Sequence, residues 1–139
     1  MPAEQLDDVP SPPGKQKEAE KKDQSPSATS PDGQIVAKAN DKQIGLFDAA
    51  SGKEIRRMAG HEERVTALAF SPDGKSLASG SRDTTVILWN LPTGKILWKF
   101  TGTKGIVSVK YSEDGRSLLV EEEGRKTRKL DAETGKALP

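Results

Sequence analysis

Residues 60–90 read GHEERVTALAFSPDGKSLASGSRDTTVILWN, and parts of this pattern return on both sides of the segment. The turn-like sequence Ser-Pro-Asp-Gly at 71–74 has a copy at 30–33 and a variant, Ser-Glu-Asp-Gly, at 112–115, so that both steps are 41 residues. A second mark, Ser/Thr-Gly-Lys, begins at residues 51, 93 and 134, at steps of 42 and 41. Two independent marks with one period indicate an internal repeat, and a period of about 40–45 residues is typical of a four-stranded repeating unit.

The complete middle repeat predicts four short strands separated by turns. Residues 65–70 are apolar on both faces apart from Thr66, which indicates an inner strand covered on both sides. Ser-Pro-Asp-Gly then predicts a turn, because proline presets φ, aspartate bonds the backbone and glycine accepts a left-handed angle. Further strands are predicted at 76–80, at 85–89, which is rich in β-branched residues, and at 95–100, which alternates apolar and polar residues.

The flanking repeats are incomplete in different places. The first predicts strands at 34–39, 43–48 and 53–58 only, since residues 24–29 contain a proline and no large apolar side chain. The third predicts strands at 106–111, 117–120 and 125–130, and its outer strand is not predicted before the sequence reaches Pro139. We therefore expect three strands in each flanking repeat.

The middle repeat resembles the WD40 family. The resemblance rests on Gly-His at 60–61, the segment Ala-Phe-Ser-Pro-Asp-Gly at 69–74, Leu-Ala-Ser-Gly-Ser at 77–81, and Leu-Trp-Asn at 88–90, where Asn90 replaces the usual aspartate. It implies an all-β chain of WD40-type β-propeller blades in about three repeats, as an open or incomplete propeller. We expect a partial blade at 30–59, a complete blade at 60–100 and a second partial blade at 101–139.

The resemblance also implies a buried, hydrogen-bonded tetrad formed by His61, Ser79, Asp83 and Trp89. The residue types suit this role, because a buried histidine and a buried indole N–H both need partners, and Ser79 and Asp83 can supply them. A fully satisfied network of this kind favours a single packing arrangement.

The flanking repeats lack this set of residues. Aligned on Asp83, the first repeat has Asp41 and Phe47 but places Ala37 at the position of Ser79; the third has Gly102, Val120, Gly124 and Leu130 at the four positions. We expect the flanking blades to be held by apolar packing alone and to be less stable than the middle blade.

A hydrolytic triad uses the same residue types as Ser79, His61 and Asp83. A nucleophilic serine needs an exposed position beside an oxyanion hole, whereas Ser79 lies inside a predicted strand. No catalytic residue is therefore predicted. With one histidine and no cysteine, no metal site is predicted, and no motif indicates a cofactor.

Composition restricts the classes of partner and the location. Residues 1–29 are rich in proline and charge and predict a disordered tail or linker. The 22 basic and 21 acidic residues leave a net charge of +1, which is unlike the basic surface of a nucleic-acid binder. No apolar run approaches the roughly 20 residues of a membrane span, and the N-terminus lacks the pattern of a secretion signal. We predict a cytoplasmic protein that binds neither nucleic acid nor membrane.

The resemblance implies a scaffold for protein–protein interaction, without catalytic activity of its own. Arg64 and Arg82 are the candidate anchors for a protein or peptide partner, with Glu62 and Glu63 as rim charges; the alternative is that these are ordinary solvated loops. A second interpretation is a truncated fragment, or the C-terminal end, of a larger WD40 propeller with no autonomous function. Because a ring closes with about 4–8 blades, oligomerisation or missing blades would then be needed to close it.

Overall fold

The computed structural model describes residues 26–138, and within this range the chain consists of strands, turns and loops. The predicted tail at 1–29 lies mostly outside these residues. No helix in the described part of the chain is long and apolar enough to cross a membrane. The strands form three antiparallel sheets.

Each sheet is formed by strands that follow one another in the sequence. The first sheet contains β1 (Ser27–Thr29), β2 (Ile35–Asn40), β3 (Gln43–Asp48) and β4 (Glu54–Ala59). The second contains β5 (Val65–Phe70), β6 (Ser76–Ser81), β7 (Thr85–Asn90) and β8 (Ile96–Thr101). The third contains β9 (Ile106–Tyr111), β10 (Ser117–Glu122) and β11 (Lys126–Asp131).

The second sheet lies between the other two and is covered on both faces. One hydrophobic cluster joins it to the first sheet and includes Ile44, Leu46 and Leu77. A second cluster joins it to the third sheet and includes Leu88, Val109 and Leu118. This burial explains why strands β6 and β7 read as nearly continuous apolar or small residues, since neither face of either strand meets water.

Cross-strand pairing divides each sheet into rows of side chains that share one face. In the second sheet, one row faces the third sheet and consists of Ala69, Ala78, Leu88 and Trp98. The row formed by Phe70, Leu77, Trp89 and Ile96 points to the opposite side, towards the first sheet.

The repeated Asp-Gly turns are built identically in all three sheets. In the second sheet, the Ser71 hydroxyl donates to Oδ1 of Asp73 over 2.6 Å, the same oxygen accepts from the Lys75 amide, and Gly74 has φ of 74°. The turns at 30–33 and 112–115 contain the same pair of bonds. The local chemistry of the motif therefore fixes the same hairpin three times.

The first sheet contains a strand that the sequence did not predict. β1 pairs with β2, with Ala28 opposite Ala37, and the Pro26 carbonyl accepts from the Ala39 amide over 3.0 Å. The expectation of no inner strand before Ser30 is wrong, because β1 lies at the edge of the sheet. β1 starts just after Pro26, so the N–H that proline lacks does not remove a hydrogen bond from the sheet.

The third sheet has the three strands that were predicted. Beyond β11 a single bridge joins Leu130 to Ala137. The three sheets stack in sequence order with the second in the middle, and they do not close a ring. The prediction of an all-β, open and incomplete propeller is confirmed.

Neighbouring sheets are also joined by side chains on their outer strands. Arg56 of β4 donates to the carbonyls of Pro92 and Thr93 in the second sheet, over 3.3 and 3.1 Å. At the matched position in β8, the Trp98 indole donates to the Ala132 carbonyl of the third sheet over 2.8 Å. Each outer strand thus reaches the last turn of the next sheet.

Candidate functional site

The second sheet contains a buried polar network centred on Ser79. Ser79 lies on β6 with its side chain on the face towards the first sheet, and it is fully excluded from solvent. The Trp89 indole N–H, on the neighbouring strand β7, donates to the Ser79 hydroxyl oxygen over 2.8 Å. Both groups would be costly to bury alone, and each satisfies the other.

His61 connects this pair to the turn between β6 and β7. Its Nε2 lies 2.7 Å from the Ser79 oxygen, and its Nδ1 lies 3.2 Å from Oδ2 of Asp83. The Ser79 oxygen accepts from Trp89, and its one hydrogen favours Nε2 of His61 at 2.7 Å over the Ile87 carbonyl at 3.4 Å. All partners are satisfied by a neutral His61 that accepts at Nε2 and donates from Nδ1 to Asp83.

Asp83 accepts several hydrogen bonds at once. Its Oδ2 accepts from the Glu62 amide over 2.8 Å, and its Oδ1 accepts from the Thr85 amide and the Thr85 hydroxyl, over 2.9 and 2.5 Å. The carboxylate therefore ties the loop before β5 to the start of β7. The structure brings together all four residues of the tetrad expected from the sequence.

The surroundings shift both ionisable groups of the network. Burial disfavours a charged imidazole and lowers the pKa of His61 below its ordinary 6.5, although the neighbouring Asp83 carboxylate opposes the shift. For Asp83, burial alone would raise the pKa, but the hydrogen bonds from Thr85 and Glu62, together with the proximity of His61, lower it to about 2. The network consequently holds a neutral histidine beside a carboxylate near pH 7.

Sequence reasoning missed two members of this network. Thr85 bonds Asp83 and also lies 3.1 Å from Nδ1 of His61. The Ser81 hydroxyl donates to the carbonyls of Glu63 and Arg64 and accepts from the Asp83 amide. The signal was available in the spacing, because a Ser or Thr two residues from an aspartate commonly closes such a turn.

The connectivity from Asp83 through His61 to Ser79 is that of a hydrolytic relay, but its environment differs from that of an active site. The Ser79 oxygen is excluded from solvent and is capped by the Trp89 indole. A substrate carbonyl could reach it only if the sheet opened. Within residues 26–138, no group of three or more His, Asp or Glu side chains is arranged to hold a metal ion.

In the first sheet, the positions of Ser79 and Trp89 are occupied by Lys38 and Phe47. The register places Lys38 opposite Gly45 as Ser79 lies opposite Ile87, so the expected match of Ala37 to Ser79 is wrong by one residue. The turn between β2 and β3 is one residue shorter than its counterpart, and a shift by one residue reverses the face. Nζ of Lys38 lies 5.6 Å from the centre of the Phe47 ring, which replaces the indole–hydroxyl bond with a cation–π contact.

The third sheet contains a buried ion pair that the sequence analysis did not predict. Glu122 is fully excluded from solvent, with Oε2 2.5 Å from Nε of Arg128 and Oε1 3.1 Å from the Thr103 hydroxyl. The expectation that this blade is held by apolar packing alone is therefore wrong. The residue parity of β10 could have revealed it, since Leu118, Val120 and Glu122 alternate onto one face.

Glycine at position 102 makes room for this ion pair. Gly102 occupies the position of His61, and a Cβ there would lie 2.5 Å from the Glu122 carboxylate. Burial would raise the pKa of Glu122, but the hydrogen bonds and charge of Arg128, together with Thr103, lower it. The guanidinium also lies 5.5 Å from the Phe100 ring of β8, so it contacts the second sheet.

The candidate partner residues lie together at the end of the sheets that holds His61 and the β6–β7 turn, which we call the upper face. The Arg82 amide donates to the Arg64 carbonyl over 3.0 Å, so the loop before β5 and the β6–β7 turn are adjacent. Glu62, Glu63, Arg64 and Arg82 are all exposed. Among residues 26–138, neither arginine side chain forms an ion pair.

Both a protein-family model and a solved structure are similar to this chain. The family model described as "WD domain, G-beta repeat" matches residues 52–90. The chain is also similar to the crystal structure of RRP9 WD40 repeats, with a TM-score of 0.77 and 24% identity over 82% of this chain and 37% of that one. At that identity the likeness shows the fold alone.

Similar curated proteins come from bacteria, fungi and plants. A WD repeat-containing protein of Synechocystis is 48% identical over 66% of this chain and 27% of its own length. U3 small nucleolar RNA-associated protein 21 of Saccharomyces cerevisiae is 36% identical over 57% of this chain, and the small ribosomal subunit protein RACK1y of rice is 36% identical over 56%. The matched part is 8% of the yeast protein and 23% of the rice protein, so this chain spans a minor share of the relatives it matches.

Proposed function

The chain belongs to the WD40-repeat family, and we propose that it is a scaffold without catalytic activity of its own that binds a protein or peptide partner on its upper face. The observation that carries the proposal is the exposed pair of Arg64 and Arg82, held side by side by the bond between the Arg82 amide and the Arg64 carbonyl. Arginine in a fixed position is a common anchor of protein interfaces, since its planar group makes several directed bonds.

The network below the surface supports this role by fixing the loop. The amide of Glu62 is held by Asp83, and the carbonyls of Glu63 and Arg64 are held by Ser81. A loop whose backbone is bonded at three consecutive residues loses little entropy when a partner binds. Glu62 and Glu63 lie next to the arginines and would discriminate against strongly acidic segments, which favours a partner with isolated carboxylates or carbonyl acceptors.

The absence of catalysis is part of the proposal and rests on the environment of Ser79. The residue closest to a nucleophile in this chain is buried, and its oxygen already accepts from Trp89. A network whose members satisfy one another stabilises a fold and leaves no polar group free for a substrate. A cytoplasmic location and the absence of nucleic-acid or membrane partners remain predictions from the sequence.

The proposal is tested by selecting peptides from a displayed random library against the full chain. Each selected peptide is measured by fluorescence anisotropy against the double variant Arg64→Ala/Arg82→Ala, and against Arg116→Ala as a control on the opposite face. We expect the double variant to weaken binding at least about tenfold, as the loss of an anchor does, while the control leaves it unchanged. Peptides that bind all three proteins equally would contradict the proposal.

A second candidate is the fragment interpretation, in which the three repeats have no autonomous function. The open stack favours it, since among residues 26–138 the first and third sheets each leave one face without a neighbouring sheet. Circular dichroism during thermal unfolding separates the two candidates. A cooperative transition of the isolated chain supports the scaffold, whereas a gradual change with no transition supports the fragment.

A further inference from the structure

A cavity of about 520 Å³ opens between the second and third sheets at the lower face, which is the end of the stack that holds the Asp-Gly turns. Its walls include Ser76 and Leu88 of the second sheet, Tyr111 of the third sheet, and Ala132, which follows β11. The volume lies within the roughly 300–1,000 Å³ that is usual for ligand pockets. The four candidate partner residues of the upper face do not line it, so the cavity is a separate feature.

The matching junction between the first and second sheets is filled by larger side chains. Ser76 and Ile35 are equivalent, because the amide of each donates over 3.0 Å to the hydroxyl of the serine that begins its Asp-Gly turn. Leu91 and Ala132 are equivalent, because the amide of each donates to the carbonyl of the residue just before the second strand of its sheet, over 3.0 and 2.9 Å. Ile35 and Leu91 pack in the cluster that joins the first two sheets. Serine and alanine in their places leave the space unfilled.

Acidic side chains lie at the mouth of the same cavity. Asp131 and Glu133 occupy the places that an asparagine and a proline hold after the third strand of the second sheet. Together with Asp73, they bring three carboxylates to the rim. The junction that lost two bulky side chains has therefore gained two negative charges relative to its counterpart.

The charges at the rim are not neutralised within the structure. Hydrogen bonds from the Ser71 hydroxyl and the Lys75 amide lower the pKa of Asp73, which keeps it ionised at neutral pH. Burial, and then the charge of Asp73, raises the pKa of the Tyr111 hydroxyl, so that the phenol stays neutral and can accept a hydrogen bond. Arg116 also lines the cavity, but it forms no ion pair with any of residues 26–138.

The walls and the rim together suit a long cationic side chain. Lysine and arginine combine an aliphatic stem that packs on apolar surface with a charged head that remains near water or a carboxylate. The stem would lie against Leu88 and Ala132. The head would lie among Asp73, Asp131 and Glu133, where an anion would be repelled. A metal ion fits less well, because no group of three or more His, Asp or Glu side chains in the described part of the chain is arranged to hold one.

We propose that the cavity between the second and third sheets binds a lysine or arginine side chain of a partner protein. The contacts assigned to the cation are the three carboxylates and the Tyr111 hydroxyl, and the charge of Arg116 opposes it. The site does not depend on Arg64 and Arg82, which lie at the other end of the stack. It gives the chain a second contact surface, with a preference for basic partners that the two arginines of the upper face do not share.

The first test locates the binding of short peptides on the full chain. The probes are tripeptides capped at both ends, in which alanine flanks a central arginine, lysine or, as the neutral control, glutamine. In amide NMR spectra at millimolar peptide, we expect at least one cationic probe to shift the signals of Ser76, Tyr111 and Ala132 in a saturable way. The neutral probe should leave these signals unchanged. Equal shifts with all three probes, or no saturable shift at these amides, would overturn the proposal.

The second test removes charge from the rim. Asp131→Asn/Glu133→Gln deletes two carboxylates, and asparagine is the residue that the second sheet holds at the first of these positions. We expect the affinity for the cationic probe to fall at least about tenfold, as the loss of charge-assisted bonds does. The control Asp41→Asn/Glu113→Gln removes two carboxylates outside the cavity and should bind as the wild type does. Equal affinities of the two variants would contradict the proposal.

The third test fills the cavity. Ser76→Ile/Ala132→Leu gives this junction the side chains of Ile35 and Leu91, and we expect it to abolish the shifts while the spectrum stays that of a folded protein. Undiminished binding by the folded variant would rule out the assigned site. If the filled variant does not fold, the charge variant decides, because its substitutions lie at the mouth of the cavity.

Discussion

At matched positions, the second sheet holds Ser81 and Ile87 where the third holds Glu122 and Arg128. The second sheet is covered on both faces, and its polar network contains a neutral histidine with its partners. In the described part of the chain, one face of the third sheet has no neighbouring sheet, and Arg128 keeps 22% of its side chain exposed while pairing with Glu122. The two sheets therefore share the same backbone and turns. They differ in the partners of their buried polar groups, which form a neutral network in the fully covered second sheet and a partly exposed ion pair in the third.

The largest expected effect is in the second sheet. Asp83→Ala removes the acceptor for the Glu62 amide, the Thr85 amide and hydroxyl, and His61. Because it strands several buried donors, we expect a loss of about 2–4 kcal/mol in the free energy of unfolding, measured by urea denaturation.

A matched control is Asp41→Asn in the exposed turn between β2 and β3, where asparagine tolerates the φ of 60°. It should change stability by no more than about 0.5 kcal/mol. Equal effects of the two substitutions would contradict the special role of the Asp83 network.

The third sheet should respond differently. Arg128→Met leaves the Glu122 carboxylate buried without its partner, and we expect a loss of about 2 kcal/mol, below the usual range for buried pairs because Arg128 is partly exposed. The double variant Glu122→Gln/Arg128→Met removes both charges and should recover to within about 1 kcal/mol of the wild type. If the double variant is no more stable than Arg128→Met alone, the ion pair is not the element that the substitution breaks.

Acid should weaken the second sheet through both ionisable groups. The pKa of His61 is lowered by folding, so the stability it contributes is present above the ordinary value of 6.5 and is lost as the pH falls below it. Asp83 has a folded pKa of about 2 against an ordinary 3.8, so its contribution is present above 3.8 and is lost as the pH falls towards 2.

The Asp83 contribution amounts to about 2 kcal/mol at neutral pH. Urea denaturation from pH 7 to pH 2 should therefore show a steeper loss for the wild type than for Asp83→Asn between pH 3.8 and pH 2. Parallel curves in this window would mean that the carboxylate gains nothing on folding.

The smallest expected effect is in the first sheet. Lys38→Gln removes the cation–π contact with Phe47 and should cost about 0.5 kcal/mol, since the pair is exposed to solvent. Lys110→Gln, at an exposed position of the third sheet, serves as the control and should have no measurable effect. A loss of 2 kcal/mol or more at Lys38 would make this contact comparable to the indole–hydroxyl bond of the second sheet.

Much of the fold could be predicted from the sequence because turns and strands are local properties. The predicted strands at 65–70 and 106–111 match β5 and β9, and most other boundaries lie within one or two residues. β1 was missed because its side chains carry no apolar pattern, and its pairing with β2 is a long-range property of the backbone. Residues 27–29 of the tail predicted at 1–29 form β1, whereas the rest of that tail and the other domain limits remain predictions.

The buried polar groups were harder to predict. The resemblance to the WD40 family implied the tetrad residues, but the match of Ala37 to Ser79 failed because the turn between β2 and β3 is one residue shorter than the turn between β6 and β7. The inward position of Glu122 was not predicted, since composition cannot tell which of three consecutive glutamates points inward. For both Lys38 and Glu122, the alternation of side chains between the two faces of a strand was the informative signal.

Native-state amide hydrogen exchange compares the three sheets most directly. If burial on both faces together with the Asp83 network makes the second sheet the most stable part of the stack, the amides of β6 and β7 should exchange most slowly. Those of β2, β3, β10 and β11 should exchange faster, through openings that leave the second sheet intact. Exchange of β10 and β11 at rates equal to or slower than those of β6 and β7 would contradict this account.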